Sequence, residues 1–297
     1  MTPRDLTALL LLSALWGGSF VFMRVAAPVL GPILLVELRV LIAGVTLLAF
    51  ALLTRSLPPV RTHWKEFLVI GTINSALPFV LASAATVHIT ASLAVTLNAT
   101  TPLFAALVGA VWQGQRLTRG KLGGLLLGLL GVMILVGFGP VELTLVVGLA
   151  IGASLLAALS YGVAVVYTKT QGTGVQPFAL ALYSQLFAAL VLLPAVPFAL
   201  PSSSPSGVVM GAVVALGVLC TAVAYLLYFG LIQRVELTKA TMVTYLSPAF
   251  GILWGALLLR EPLTVWTFVG FGLILLSVAF ITGVRVGRLP VRKPTRA

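Results

Sequence analysis

Charge is the scarcest property of this chain. Only 8% of its 297 residues are Asp, Glu, Lys or Arg, and just six of those are acids. A water-soluble domain carries about 25% charged residues. With 60% hydrophobic residues and a mean hydropathy of +1.16, no soluble fold could hide the apolar remainder. Cysteine is almost missing too. The single Cys220 excludes an intrachain disulfide and any cysteine-based metal site, and sits in an apolar run as a small buried residue would. Two histidines and the scattered acids Asp5, Glu37, Glu66, Glu142, Glu236 and Glu261 form no metal set and no paired-carboxylate centre. No polar connection is long enough to fold as a catalytic domain. The expectation is no enzyme, no catalytic residue, no metal and no cofactor. Nor is nucleic acid an expected partner: the net charge of +12 is spread over the ends of apolar runs, not gathered on one face.

What fills the chain is long hydrophobic runs. Ten of them, at about 6–26, 33–54, 66–88, 91–113, 119–138, 145–168, 177–199, 207–231, 238–259 and 264–284, approach or exceed the ~20 residues that cross a bilayer. The fold class that follows is all-α and integral to the membrane, with the lipid bilayer as its surroundings. The N-terminus resembles a secretory leader, with Arg4 followed by an apolar run. The run from Leu6 to Met23 exceeds the usual 7–15 residues of a leader core, however, and Asp5 interrupts the basic region. The segment is therefore expected to be retained as the first span.

Lysine and arginine set orientation. If the N-terminus is cytoplasmic, 15 of the 18 basic residues fall on the cytoplasmic side, Arg24 and Arg260 fall outside, and Arg39 lies within a span. Both termini are then cytoplasmic, as an even number of spans requires.

The second five spans echo the first five. At an offset of 146, Pro102 falls on Pro248, Phe104 on Phe250, Gly109 on Gly255, Asn98 on Thr244, Thr101 on Ser247 and Gln115 on Glu261. Near the start of each half the offset is 145, pairing Trp16 with Tyr161, Gly17 with Gly162 and Pro32 with Pro177. The expected organisation is a first five-helix repeat over 1–141, a second over 142–284, and a basic cytoplasmic tail over 285–297. Five is odd, so the second repeat enters the membrane inverted. Inverted repeats recur among secondary transporters, with the substrate near the midplane between them.

Mid-span polar and aromatic residues mark where a solute would meet the protein. The fourth span places Asn98 and Thr101 on one face, and the ninth repeats this with Thr244 and Ser247 beside Tyr245. Pro102 and Pro248 each remove a backbone hydrogen bond at that depth, so both are candidate hinges. The third span offers Asn74 and Phe79, the eighth Tyr225 and Tyr228, and the first and sixth the matched Trp16 and Tyr161. Together these predict a central cavity with aromatic walls and a few hydrogen-bonding groups. Close helix packing would use many of the same residues.

Charge inside the spans is confined to Glu37 and Arg39, one to two turns below the outer surface. They are expected as a near-surface ion pair or as gate charges, although two positions apart they face different ways. His88, at the outer end of the third span, is a further gate candidate or an ordinary cap. With no cation expected at the midplane, organic phosphates are disfavoured as substrates. Spaced glycines in the fifth span (Gly120, Gly124 and Gly128, with Gly123 and Gly131 beside them) mark a close-packing face. A monomer is expected, with a dimer through that face as the alternative.

These features together resemble the ten-helix, EamA-type branch of the drug/metabolite transporter superfamily: ten spans, two related halves, Trp16-Gly17 in the first span, the Pro102 and Pro248 helices each followed by a glycine-rich span, and above all the stretch GALLLREPLT from Gly255 to Thr264. The resemblance implies a basket lined by spans 1, 3, 4, 6, 8 and 9, with spans 5 and 10 as supports. It implies export of amino acids, including aromatic ones, or of similar small metabolites across a bacterial inner membrane. A multidrug or quaternary-ammonium exporter is the alternative, and a membrane-embedded lipid-modifying enzyme a more distant one. The small four-helix relatives carry a glutamate in their first span, which this chain lacks.

Overall fold

Apolar runs of this length have to satisfy their backbone internally in lipid, and helices do so. The computed structural model describes residues 1–114, 118–138, 142–171, 174–201, 204–235 and 242–282. Among the described residues there is no strand. The helices are α1 (Pro3–Leu30), α2 (Pro32–Leu53), α3 (Trp64–His88), α4 (Ala91–Gln113), α5 (Arg119–Phe138), α6 (Leu145–Gln171), α7 (Pro177–Phe198), α8 (Gly207–Ile232), α9 (Val243–Leu259) and α10 (Val265–Thr282). The first eight are long and apolar enough to cross a bilayer; α9 and α10 are apolar but shorter. Each predicted span therefore has its helix. The start predicted for the ninth span lies partly outside the described residues, as do Gln115 and the basic tail.

Local signals explain the boundaries. Thr2 caps α1 by accepting the Asp5 N–H, while its own N–H and hydroxyl donate to the Asp5 carboxylate. Pro32 and Pro177 start α2 and α7 at the one turn where a missing N–H is harmless. Gly31, at φ +73°, turns α1 into α2 within a single residue, a conformation that a side chain would oppose. Thr90 caps α4.

Four helices lose their regular pitch, α7 only at its end, where Leu193–Phe198 winds as a 3-10 helix. α3 widens into a π-turn over Gly71–Ala76, and α8 does so over Ala215–Val223, close to the positions 146 residues on. α4 breaks at Ala99 and Thr100, just before Pro102, whereas α9 runs unbroken through Pro248. The carbonyl that Pro102 leaves without its helical partner belongs to Asn98, and the Thr101 hydroxyl donates to it at 2.8 Å.

The most extensive packing crosses between the halves. α1 lies along α9 and α6 along α4; α2 packs on α8 and α3 on α7; α5 pairs with α10. Each of the first two couples is one contact repeated with the halves exchanged. Gly17 has no room for a Cβ: it would meet the Ser247 carbonyl oxygen, with the Gly251 nitrogen at 2.7 Å. A Cβ at Gly162 would meet the Ala105 nitrogen at 2.8 Å. The spaced glycines of α5 are used within the chain, since Gly124, Gly128 and Gly131 press on Ser277, Ile281 and Gly270 of α10 and on Leu103.

Gly17→Ala and Gly162→Ala should each lower the midpoint of thermal unfolding in detergent, by overpacking of about 1–3 kcal/mol. Gly152→Ala, where a Cβ meets nothing within 4 Å, should leave it unchanged. Equal midpoints for all three would contradict the described α1–α9 and α6–α4 contacts.

Candidate functional site

The two wide turns and the two close glycine contacts bring six of the residues singled out from sequence into one cluster. Trp16 of α1 meets Tyr225 of α8 edge-on, with ring centroids 6.4 Å apart, and Tyr228 at 5.5 Å. On the other side, Tyr161 of α6 meets Phe79 of α3, also at 6.4 Å. Trp16 corresponds to Tyr161 and Phe79 to Tyr225 across the repeat, so the two ring pairs are one contact made twice. Asn74, inside the α3 π-turn, donates to the Tyr225 hydroxyl at 3.3 Å. Trp16, Asn74, Tyr161, Tyr225 and Tyr228 are half-buried, and Phe79 is buried.

At the centre of this cluster stands Arg39. The expectation that no cation reaches the aromatic group is not met. Its guanidinium carbon lies 3.7 Å above the centre of the Phe79 ring, and Tyr161, Tyr225 and Cys220 are its electrostatic neighbours. Nε donates to Thr221 Oγ1 at 3.0 Å, and Nη1 contacts Met23 Sδ at 3.7 Å. Thr221 passes its own proton to the Leu216 carbonyl at 2.8 Å, an i−5 bond of the α8 π-turn. Arg39 is only 4% exposed and has no carboxylate partner among the described residues. Glu37 does not pair with it, since residues two apart leave the helix in different directions. Glu37 is itself buried, with Oε2 unpartnered. A lone cation at the centre of a membrane helix costs about 2.5–3.5 kcal/mol on insertion scales; stacking on Phe79 offsets part of that. His88 is exposed at the end of α3, with no ion pair among the described residues.

The polar positions of α4 and α9 are placed differently. Thr101 and Ser247 turn their hydroxyls back onto their own helices, to the carbonyls of Asn98 and Val243. Asn98 keeps its side-chain oxygen buried and unpartnered. Tyr245 packs with Leu103, Val278 and Ile281, away from the central rings, and Thr244 is exposed. Among the described residues no three His, Cys, Asp or Glu side chains are grouped to hold a metal.

The family model described as the EamA-like transporter family matches the chain twice, over residues 5–137 and 148–283. The chain belongs to the EamA-like transporter family. It is 25% identical to an uncharacterized transporter of Archaeoglobus fulgidus, covering 90% of this chain and 94% of that one. It is 27% identical to the uncharacterized transporter YvbV of Bacillus subtilis (94% and 92% covered) and 28% identical to the uncharacterized inner membrane transporter YedA of Escherichia coli K12 (93% and 89%). A solved structure, named only as the crystal structure of a protein, superposes with a TM-score of 0.65 at 23% identity over 94% of both chains, which shows a shared fold. The chain is thus a multi-pass membrane transporter of small molecules, of the drug/metabolite type, and family and relatives alike are named for transport and not for catalysis.

In this EamA-like transporter the residues that sequence reasoning undervalued are Arg39 and Glu261. Glu261, in the loop after α9, accepts the backbone N–H groups of Ala91 and Ser92 at 2.7 and 2.9 Å and the Ser92 hydroxyl at 2.5 Å. Its carboxylate caps the first turn of α4, where the helix end carries partial positive charge. Arg24 does the opposite at the end of α3, donating to the carbonyls of Thr86 and Val87 at 2.6 Å. Both join this end of the bundle across helices. Here α4 is buried throughout from Ala91 to Leu97, whereas beyond Thr100 it is mostly half-exposed. The aromatic cluster sits where the sealed end gives way to the looser one.

Glu261→Ala should destabilise the protein by about 1.5–3 kcal/mol, the worth of hydrogen bonds to a charged group, and Glu261→Gln by less, since one oxygen still accepts. Thermal unfolding in detergent checks this; an unchanged midpoint in Glu261→Ala would remove the capping role.

Proposed function

We propose that this chain exports amino acids, aromatic or apolar ones among them, or similar small metabolites, by alternating access of two inverted five-helix halves across a bacterial inner membrane. The observation that carries the reading is the doubled ring contact: Trp16 with Tyr225 and Phe79 with Tyr161, at equal spacing and from four different helices. Substrate sites of secondary transporters lie at such repeat interfaces. The rings would hold an apolar body; Asn74 and Asn98 would offer hydrogen bonds to a polar head. Thr101, Thr244, Tyr245 and Ser247 would join them only after α4 and α9 move.

Inversion is supported by where helices end. The C-terminus of α1 lies with the α3–α4 link through Arg24, while α6 ends with Tyr167 against Trp112 at the far end of α4, ring centroids 6.4 Å apart. The break before Pro102 makes α4 the more natural hinge of the two proline helices. With the termini taken as cytoplasmic from the loop charges, Arg24 and Glu261 would close the outer face and the solute would reach the aromatic cluster from inside.

Proteoliposomes loaded with a labelled amino-acid panel test the proposal. Trp16→Ala and Tyr225→Ala should each reduce flux by about tenfold or more, a loss of ~1.4 kcal/mol of transition-state stabilisation, with thermal unfolding unchanged within a few degrees. Full flux in both would remove the cluster as a substrate site. For orientation, His88→Cys in a Cys220→Ser background should react with a membrane-impermeant maleimide from outside intact cells; labelling only after lysis would reverse the assigned topology.

A further inference from the structure

The repeat contains an internal control for Arg39. Next to the matching place in the second half stands Gln185 of α7, fully buried, whose Nε2 donates to Ser75 of α3 at 2.9 Å. Pro32 opens α2 as Pro177 opens α7, and the Arg39 carbonyl meets Gly217 as the Ser184 carbonyl meets Gly71, so Gln185 stands one residue beyond the counterpart of Arg39, while Thr221 lies 146 residues after Ser75. The two bonds are of one kind: a side chain on the second helix of one half clamps the equivalent hydroxyl in the π-turn of the other half's third helix. In one copy a neutral amide makes the clamp. In the other a guanidinium makes it, although a membrane interior penalises the charge. Clamping explains the bond to Thr221 but not the positive charge.

The remaining donors point to what the charge is for. A guanidinium offers N–H groups on three nitrogens in a planar fork. Nε is answered by Thr221, and Nη1 only by a thioether, a weak acceptor. Nη2 has no partner among the described residues. The plane is held by Phe79, so the fork cannot swing freely to find another. Around it stand the half-buried rings of Tyr161 and Tyr225, and no acid pairs with it. An oriented, desolvated, unpaired guanidinium inside a group of aromatic walls is a receptor for a planar anion.

We propose that Arg39 is the specificity-determining residue that binds the carboxylate of the transported solute, so that the substrate class is monocarboxylates with an apolar body. A single fork suits a monoanionic carboxylate, whereas a phosphate dianion would call for further cations, and among the described residues none stands beside Arg39. The inference rests on the export reading above and narrows it: a quaternary-ammonium or other purely cationic cargo is incompatible with Arg39 in this position.

The test compares acids with their amides. Purified protein in detergent is heated with L-phenylalanine, L-leucine, benzoate, L-phenylalaninamide, L-leucinamide or benzamide, and counterflow of the same compounds is measured in proteoliposomes. The wild type should prefer each acid it recognises to its amide by about tenfold or more, the scale of a charge-assisted contact. Arg39→Gln copies the neutral clamp of the other half and should fold, yet bring the ratio to near one; Arg39→Lys, which keeps the charge without the fork, should retain part of it. If benzoate is preferred and no amino acid is, the amino-acid reading fails while Arg39 stands. A wild type that favours amides or is stabilised by no carboxylate overturns the proposal whether or not the variants fold. So does a folded Arg39→Gln protein with an unchanged ratio.

Discussion

Helices in lipid gain nothing by covering one apolar side chain with another, because the surrounding acyl chains are as apolar as leucine. What holds this bundle together is how closely backbones approach and how completely stray polar groups are answered. Gly17 against α9 and Gly162 against α4 set the first condition, each in contact with main-chain atoms of the opposite half. The second is met one group at a time. The Thr101 hydroxyl covers the carbonyl opened by Pro102, Ser160 donates to the Ile73 carbonyl within the α3 wide turn, and Glu261 takes the first N–H groups of α4. Because these contacts run mostly between the halves, neither half is a self-sufficient body. Each supplies the partners that the other lacks.

That dependence gives the centre its character. Exchanging the halves maps Trp16 onto Tyr161, Tyr225 onto Phe79 and Thr221 onto Ser75, with Arg39 bonded to Thr221 where Gln185 is bonded to Ser75. The scaffold is nearly symmetric and its chemistry is not. One side presents a phenol hydroxyl bonded to Asn74; the other presents a phenylalanine with a guanidinium laid on its face. Duplication supplies the scaffold, and divergence between the copies supplies the asymmetry of its centre.

Much of this was legible in the sequence, for identifiable reasons. The ten spans follow from hydropathy and from punctuation such as Pro32 and Pro177. The pairing of Trp16 with Tyr161 follows from an offset that keeps glycines and prolines in register, and the two rings make matching contacts, with Tyr225 and with Phe79. Arg39 was undervalued because its contacts, with Phe79 of α3 and Thr221 of α8, come from other helices, and spacing along α2 does not encode them. The α4 and α9 hydroxyls were over-read: a serine or threonine facing inward by helical phase can still spend its proton on its own backbone, as Thr101 and Ser247 do. The wide turns left no composition signal, since Gly71 and Gly217 look like any other close-packing glycine. The role of Glu261 depends on a loop reaching another helix's first turn, which spacing alone does not encode.

The wide turn of α8 has one more implication. A π-turn holds one residue more than a regular turn, and one residue in an α-helix is about 100° of rotation. Everything after Val223 is therefore aimed a quarter-circle or so away from where an unbroken helix would aim it, including Tyr225 and Tyr228. Hydropathy and length decide that this segment inserts, and both are indifferent to such a twist. In this chain, insertion and the aim of the rings are governed by separate properties of the same helix, so the direction in which Tyr225 and Tyr228 point can be changed by a local change of winding without touching the code by which the segment enters the bilayer.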